Sequence, residues 1–144
     1  GQPRRMAAGF DYNRTALLLA VLEKRAGCFF GNTDVYVNIV GGLRLDEPAV
    51  DLAVALALVS NLTDRPLPEH LVAFGEIGLA GEIRNISAVE SRVRECYRLG
   101  YQKIMLPKAA IRQLHTEQMP GLQLFGVSTL AQALAVIDKG IAAD

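Results

Sequence analysis

Tryptophan is absent, and cysteine occurs only twice, at Cys28 and Cys96, 68 residues apart. That spacing matches no metal-ligand set and builds no disulfide framework. His70 and His115 are equally isolated, so no zinc finger is encoded and no metal site is expected. Net charge is lacking too, with 15 basic against 15 acidic side chains, which by its sum argues against a strongly basic nucleic-acid binder. The longest apolar run, Leu52 to Val59, has eight residues. A membrane span needs roughly 18, so no membrane partner is expected. There is no low-complexity tract. What the chain does have is 144 residues, 51% of them hydrophobic and 21% charged. Those proportions suffice to bury one core, and the length is that of one domain.

The charges are unevenly placed. Residues 1–45 carry six basic and three acidic groups, residues 46–90 two and eight, and residues 91–144 seven and four. One face can therefore be basic although the sum is nil. The first residue is Gly1 and no signal-like segment follows it, so the sequence reads as an excerpt of a longer cytoplasmic chain.

The pattern predicts alternating elements. Residues 1–10, with Pro3, read as an incoming linker and 11–144 as the domain. Asn13 is the expected N-cap of a helix to about Arg25 with Leu17, Leu18, Val21 and Leu22 on its buried stripe, stopped by Gly27. Asp34–Val40 alternates as a half-buried strand. Pro48 opens an alanine- and leucine-rich buried helix to Leu62. Short strands are expected at 71–74 and 79–83, with the glycines between 75 and 81 in tight turns. Ser87 with Glu90 forms the pattern of a capping box for a helix ended by Gly100. Strands at 103–106 and 122–125 alternate with helices at 108–115 and 128–137, the last capped by Ser128. The fold class is α/β, a single domain with helices covering a mixed sheet.

Catalytic signatures are missing. No Gly-Lys-Ser/Thr phosphate loop, no Gly-x-Gly-x-x-Gly and no Gly-x-Ser-x-Gly elbow occurs. Asp46, Glu47 and Asp51 crowd a helix start, where acidic groups are stabilised by unpaired amides. Glu76 is read as a turn hydrogen-bonding group. Phe29, Phe30, Tyr36 and Tyr97 read as core or half-buried, so no base-stacking platform is expected.

The order Asp46-Glu47-Pro48-Ala49-Val50-Asp51, Ala57 to Thr63, Gly75-Glu76-Ile77, Arg98-Leu99-Gly100-Tyr101 and Ile104 to Pro107 resembles the proteolytic domain of Lon proteases. With Gly1 to Met6, Asn13-Arg14 and Leu18 to Gly27 added, the chain resembles the Lon-like C-terminal domain of the bacterial RadA (Sms) family of DNA-repair proteins. In the Lon family a serine follows the proline and a lysine 43 residues on is its base; here those positions hold Ala49 and Arg92. Alanine has no nucleophile, and arginine keeps its proton throughout the neutral range. The domain is thus expected to be no enzyme. Ser87, Ser91 and Cys96 are the remaining hydroxyls and thiol near Arg92 in sequence; Ser87 is assigned to the cap and Cys96 to the apolar face with Val89 and Val93. Arg92 itself is read either as paired with Glu95 or as turned inward to Glu76 or Asp51.

The resemblance implies a domain of a DNA-dependent ATPase or helicase that assembles as a homo-hexameric ring on DNA, with ATP, Mg²⁺ and Zn²⁺ bound in a missing N-terminal part and none here. A RecA-type recombinase is a further implied partner. The candidate DNA-contacting residues are Arg92, Arg94, Arg98, Lys103, Lys108 and Arg112, and a second basic cluster is Arg4, Arg5, Arg14, Lys24 and Arg25. A peptide-docking groove, or residual peptidase activity, is the alternative.

Overall fold

The computed structural model describes residues 1–140. Strand β1 (Arg5–Ala8) leads into helix α1 (Tyr12–Ala26) and returns as β2 (Val35–Asn38). A 3₁₀ turn, Pro48–Val50, runs directly into α2 (Asp51–Thr63). Then follow β3 (Leu71–Ala73), β4 (Glu76–Ile77), β5 (Ile83–Arg84), α3 (Val89–Arg98), β6 (Lys103–Pro107), a 3₁₀ helix over Lys108–Gln113, β7 (Gln123–Val127) and α4 (Leu130–Asp138). The architecture is α/β, as the alternation predicts. The single mixed sheet is replaced, among the described residues, by three small ones: a parallel β1–β2 pair, a parallel β3–β6–β7 sheet and an antiparallel β4–β5 hairpin. Residues 5–8 of the expected linker are β1, in register with Val35–Asn38.

The strand β6 organises the core. All five of its residues are buried. Successive side chains of a strand face opposite ways. Met105 accordingly packs with Leu18, Leu22, Leu52, Leu56 and Leu130 from α1, α2 and α4, whereas Ile104 and Leu106 pack with Val89 and Val93 of α3. A strand covered on both faces is the expected state of the centre of a parallel sheet. Each fully buried aliphatic side chain there contributes about 1.5–3 kcal/mol over exposure.

Cap assignments shift by a residue or two. Asp11, not Asn13, caps α1: its carboxylate accepts from the Asn13 N–H at 3.0 Å. Gly27 ends that helix in the left-handed region, as expected. Ser87 does not cap α3. The N-cap is Ala88, at φ 53° and with no side-chain bond. Glu90 turns away from a capping box, because its carboxylate takes the His115 N–H at 3.0 Å and faces the His115 Nδ1 at 3.0 Å. Thr129, rather than Ser128, caps α4 through the Gln132 N–H at 3.1 Å. Residues 79–83 are not one strand: Gly78 to Gly81 make the turn between β4 and β5, with Gly81 at φ 82°.

Candidate functional site

The Pro48–Val50 turn is pinned by backbone alone. The Ala49 carbonyl accepts from Gly75 N–H at 2.9 Å, and the Gly75 carbonyl accepts from Leu52 N–H at 3.0 Å. Gly75 is required by close approach: a Cβ there would lie 2.7 Å from Ile83 Cγ2. Ala49 is therefore held against the end of β3, with its methyl buried.

Arg92 reaches the same turn from α3. Its Nη2 forms an ion pair with Glu47, two residues before Ala49, and its Nε donates to the Ser87 carbonyl at 2.8 Å. Positions 49 and 92 thus belong to one locality. The carboxylate on Arg92 is none of those expected. Glu95 is taken by Arg98 at 2.6 Å, and Asp51 by Arg14.

Asp51 is more than a helix-start acid. Its side chain is 1% exposed and accepts from Arg14 Nε at 2.9 Å, from Arg14 Nη2, and from the Ile77 N–H at 3.0 Å. Arg14 Nη2 also donates to the Ile77 carbonyl at 3.1 Å. The bond to Asp51 raises the Arg14 pKa further, with Glu76 and Asp11 adding to the field, so this guanidinium is a fixed cation. A cleft of about 210 Å³ opens beside these groups, lined by Arg14, Arg44, Asp46, Glu47, Asp51 and Glu76. Glu76 sits half-buried in β4, opposite Arg84, and not in a turn. No hydroxyl or amine lines this cleft.

The other nucleophile candidates are poorly placed. Ser87 and Ser91 are exposed. Cys96 packs beside Val89 and Val93, and burial, with Glu95 adding, pushes its thiol above the usual range. Burial does the same to Cys28, with Asp138 adding. A raised thiol pKa leaves less thiolate, the reactive species. Among the described residues no group of three or more His, Cys, Asp or Glu side chains could hold a metal ion.

The family described as subunit ChlI of Mg-chelatase matches residues 14–110. The chain belongs to this ChlI family. Curated relatives include DNA repair proteins named RadA: that of Escherichia coli K12 is 46% identical over 136 residues, 94% of this chain, and that of Halalkalibacterium halodurans 45% identical over 137 residues, also 94% of this chain. RadA of Streptococcus pyogenes serotype M3 is 42% identical over 137 residues, 95% of this chain. The sequence is thus of RadA type, and it spans 29–30% of the length of those relatives.

In this ChlI-family domain the basic residues divide by partner. Arg94 pairs with Glu90 at 3.6 Å and Arg98 with Glu95, so these two of the three α3 arginines are part-neutralised. Lys103 is buried at the start of β6 and leaves the surface set. Lys108 and Arg112 are exposed on the 3₁₀ helix after β6. In the second cluster Arg14 is committed to Asp51, and Arg5 donates to the Phe30 carbonyl at 2.8 Å and to that of Thr33. Arg4, Lys24 and Arg25 are exposed, the last two in the final turn of α1, where cations are favoured. Phe29 and Tyr36 are 65% and 56% exposed, against the expected burial, whereas Phe30 is core and Tyr97 anchors its hydroxyl on the Pro120 carbonyl at 2.6 Å. No helix among the described residues is long and apolar enough to cross a membrane.

Proposed function

We propose that this domain is a non-hydrolytic, Lon-like scaffold of a RadA-type DNA repair ATPase, which assembles with copies of itself and presents basic side chains to DNA. The observation that carries the reading is the pair of positions at the α2 start: a buried methyl at Ala49 and, reaching the same turn, a guanidinium already bonded to Glu47. Neither group can attack a peptide or take a proton near neutral pH. The printed name of the relatives supports DNA as the partner. On this reading ATP hydrolysis, its Mg²⁺ and a zinc motif lie outside these 144 residues, and a RecA-type recombinase is a partner of the whole protein.

DNA retention across a salt series tests the proposal. Binding is expected to fall linearly on a log–log plot, with a slope of about −0.9 per phosphate neutralised on duplex DNA. Reversing Lys108 and Arg112 should flatten that slope more than reversing Arg94 and Arg98, whose charge is already shared with Glu90 and Glu95. Retention that ignores salt, or none at low salt, overturns DNA contact in favour of protein docking. Cleavage of an unfolded protein substrate by purified domain overturns the non-hydrolytic reading.

A further inference from the structure

The β1–β2 sheet leaves both edges open. The Val35 N–H bonds to the Arg4 carbonyl at 2.8 Å and the Ile39 N–H to the Ala8 carbonyl at 2.9 Å. A residue's N–H and C=O point to the same side of a strand, so Arg4, Met6 and Ala8 look toward β2 while Arg5 and Ala7 look away. On β2, Val35 and Val37 look toward β1, and the backbone of Tyr36 and Asn38 looks outward. No other strand of the described residues joins this sheet.

Beyond that outward edge of β2 lies a groove of about 370 Å³, walled on its other side by α2. Ala53, Ala57 and Asn61 stand exposed along it at helical spacing, above the half-buried Val54 and Leu58. It continues past Tyr36 to Asp34. Residues 35–43 and 52–63 contain no charged side chain at all. Tyr36, Val40 and Leu43 are 56%, 83% and 64% exposed. Natural proteins guard open strand edges with charge or cover, and an uncharged apolar edge marks an interaction surface. A polyanion finds no cation here.

We infer that this groove receives the outward edge of β1 from a second copy of the chain, so that the sheet runs on from one copy into the next. The charges fit: Asp34, exposed and accepting its own Arg4 N–H at 2.7 Å, is the one charged residue lining the groove and its extension, and the exposed Arg4 side chain immediately precedes β1. The sizes fit as well, because the outward edge of β1 brings Ala7 to a wall whose rim is Ala53 and Ala57. Since the two edges differ, the contact is head-to-tail and can close into a ring. This rests on the assembly half of the proposed function and supplies its surface.

Sedimentation across a concentration series tests it, on this chain and on the longer protein that carries it. Ala57→Glu puts a carboxylate on the groove rim, and Ala7→Pro removes the outward N–H of β1. Wild type is expected to associate and each variant to lose at least tenfold in association. A one-to-one mixture of the two should form dimers and stop there, because one intact groove meets one intact edge. Should Ala7→Pro not fold, Arg4→Ala, which removes the charge offered to the neighbouring copy's Asp34 and keeps the Arg4 N–H on its own Asp34, replaces it in the mixture. Variants that assemble like wild type overturn the groove while leaving assembly itself standing. A mixture that stays monomeric overturns the head-to-tail contact. A wild type that is monomeric in the longer protein sinks the inference and the assembly reading together. Wild type that stays monomeric yet binds an extended apolar peptide, lost in Ala57→Glu, hands the groove to a peptide partner and overturns the inference.

Discussion

Arg14 on α1 grips the buried carboxylate of Asp51 on α2 with Nε and Nη2, and both residues also bond the backbone of Ile77 in β4. Three elements are thereby fastened at one point. Removing one partner of a buried pair costs about 3–5 kcal/mol, because the other charge stays desolvated and alone. Arg14→Ala should therefore lower unfolding stability by about 3 kcal/mol or more in a urea titration. Asp51→Asn keeps an acceptor for the Ile77 N–H and should lose less, about 2 kcal/mol, the scale of a charge-assisted hydrogen bond.

Restoring a hydroxyl does not restore a hydrolase. Ala49→Ser places an oxygen where the backbone already holds the turn, yet Arg92 stays paired with Glu47, and a guanidinium is no general base near neutral pH. The variant should show no turnover of a fluorogenic peptide or of unfolded casein above the wild-type baseline. Cleavage by Ala49→Ser alone would mean that another group serves as the base.

Ala88 holds a left-handed conformation at the entry to α3, φ 53°, which costs an L-residue with a Cβ about 1–2 kcal/mol. Glycine adopts it freely but loses more freedom on folding. Ala88→Gly should leave a net gain of about 0.5–1 kcal/mol, seen as a higher denaturant midpoint with unchanged slope.

Acid should loosen the contact between α3 and the loop after the 3₁₀ helix. The Glu90 carboxylate sits below the ordinary value of 4.5, chiefly because the His115 backbone N–H bonds it, then because the His115 ring and Arg94 do. A lowered folded pKa means that the stabilisation is present above the unfolded value and is lost as pH falls through the folded one. Stability should drop below about pH 4.5, and Glu90→Gln should flatten that part of the profile in pH-dependent thermal unfolding.

Much of this was legible in the sequence where the signal is local. The apolar spacing of α1, the alanine-leucine run of α2 and the left-handed stop at Gly27 each depend on a few neighbouring residues. The partners of charges were not, because they are set by tertiary approach. Nothing near Asp51 in sequence announces Arg14, 37 residues earlier, and nothing near Arg92 singles out Glu47 over Asp51. Burial of Lys103 follows from β6 being central, and a sequence does not display its sheet order. Exposure of Tyr36 and Phe29 was missed for the opposite reason: aromatic residues promise a core, and these two were left outside it.

The stitch between Ala49 and Gly75 uses only main-chain atoms. Whatever side chain stands at position 49, provided it is small, the loop keeps its shape, so a hydroxyl can be lost there without taxing the architecture. Position 75 has the reverse character: it contributes no reactive group, and any Cβ there would press within 2.7 Å of the Ile83 methyl. Among relatives the first site should drift and the second stay fixed, a contrast between a tenant and the wall around it.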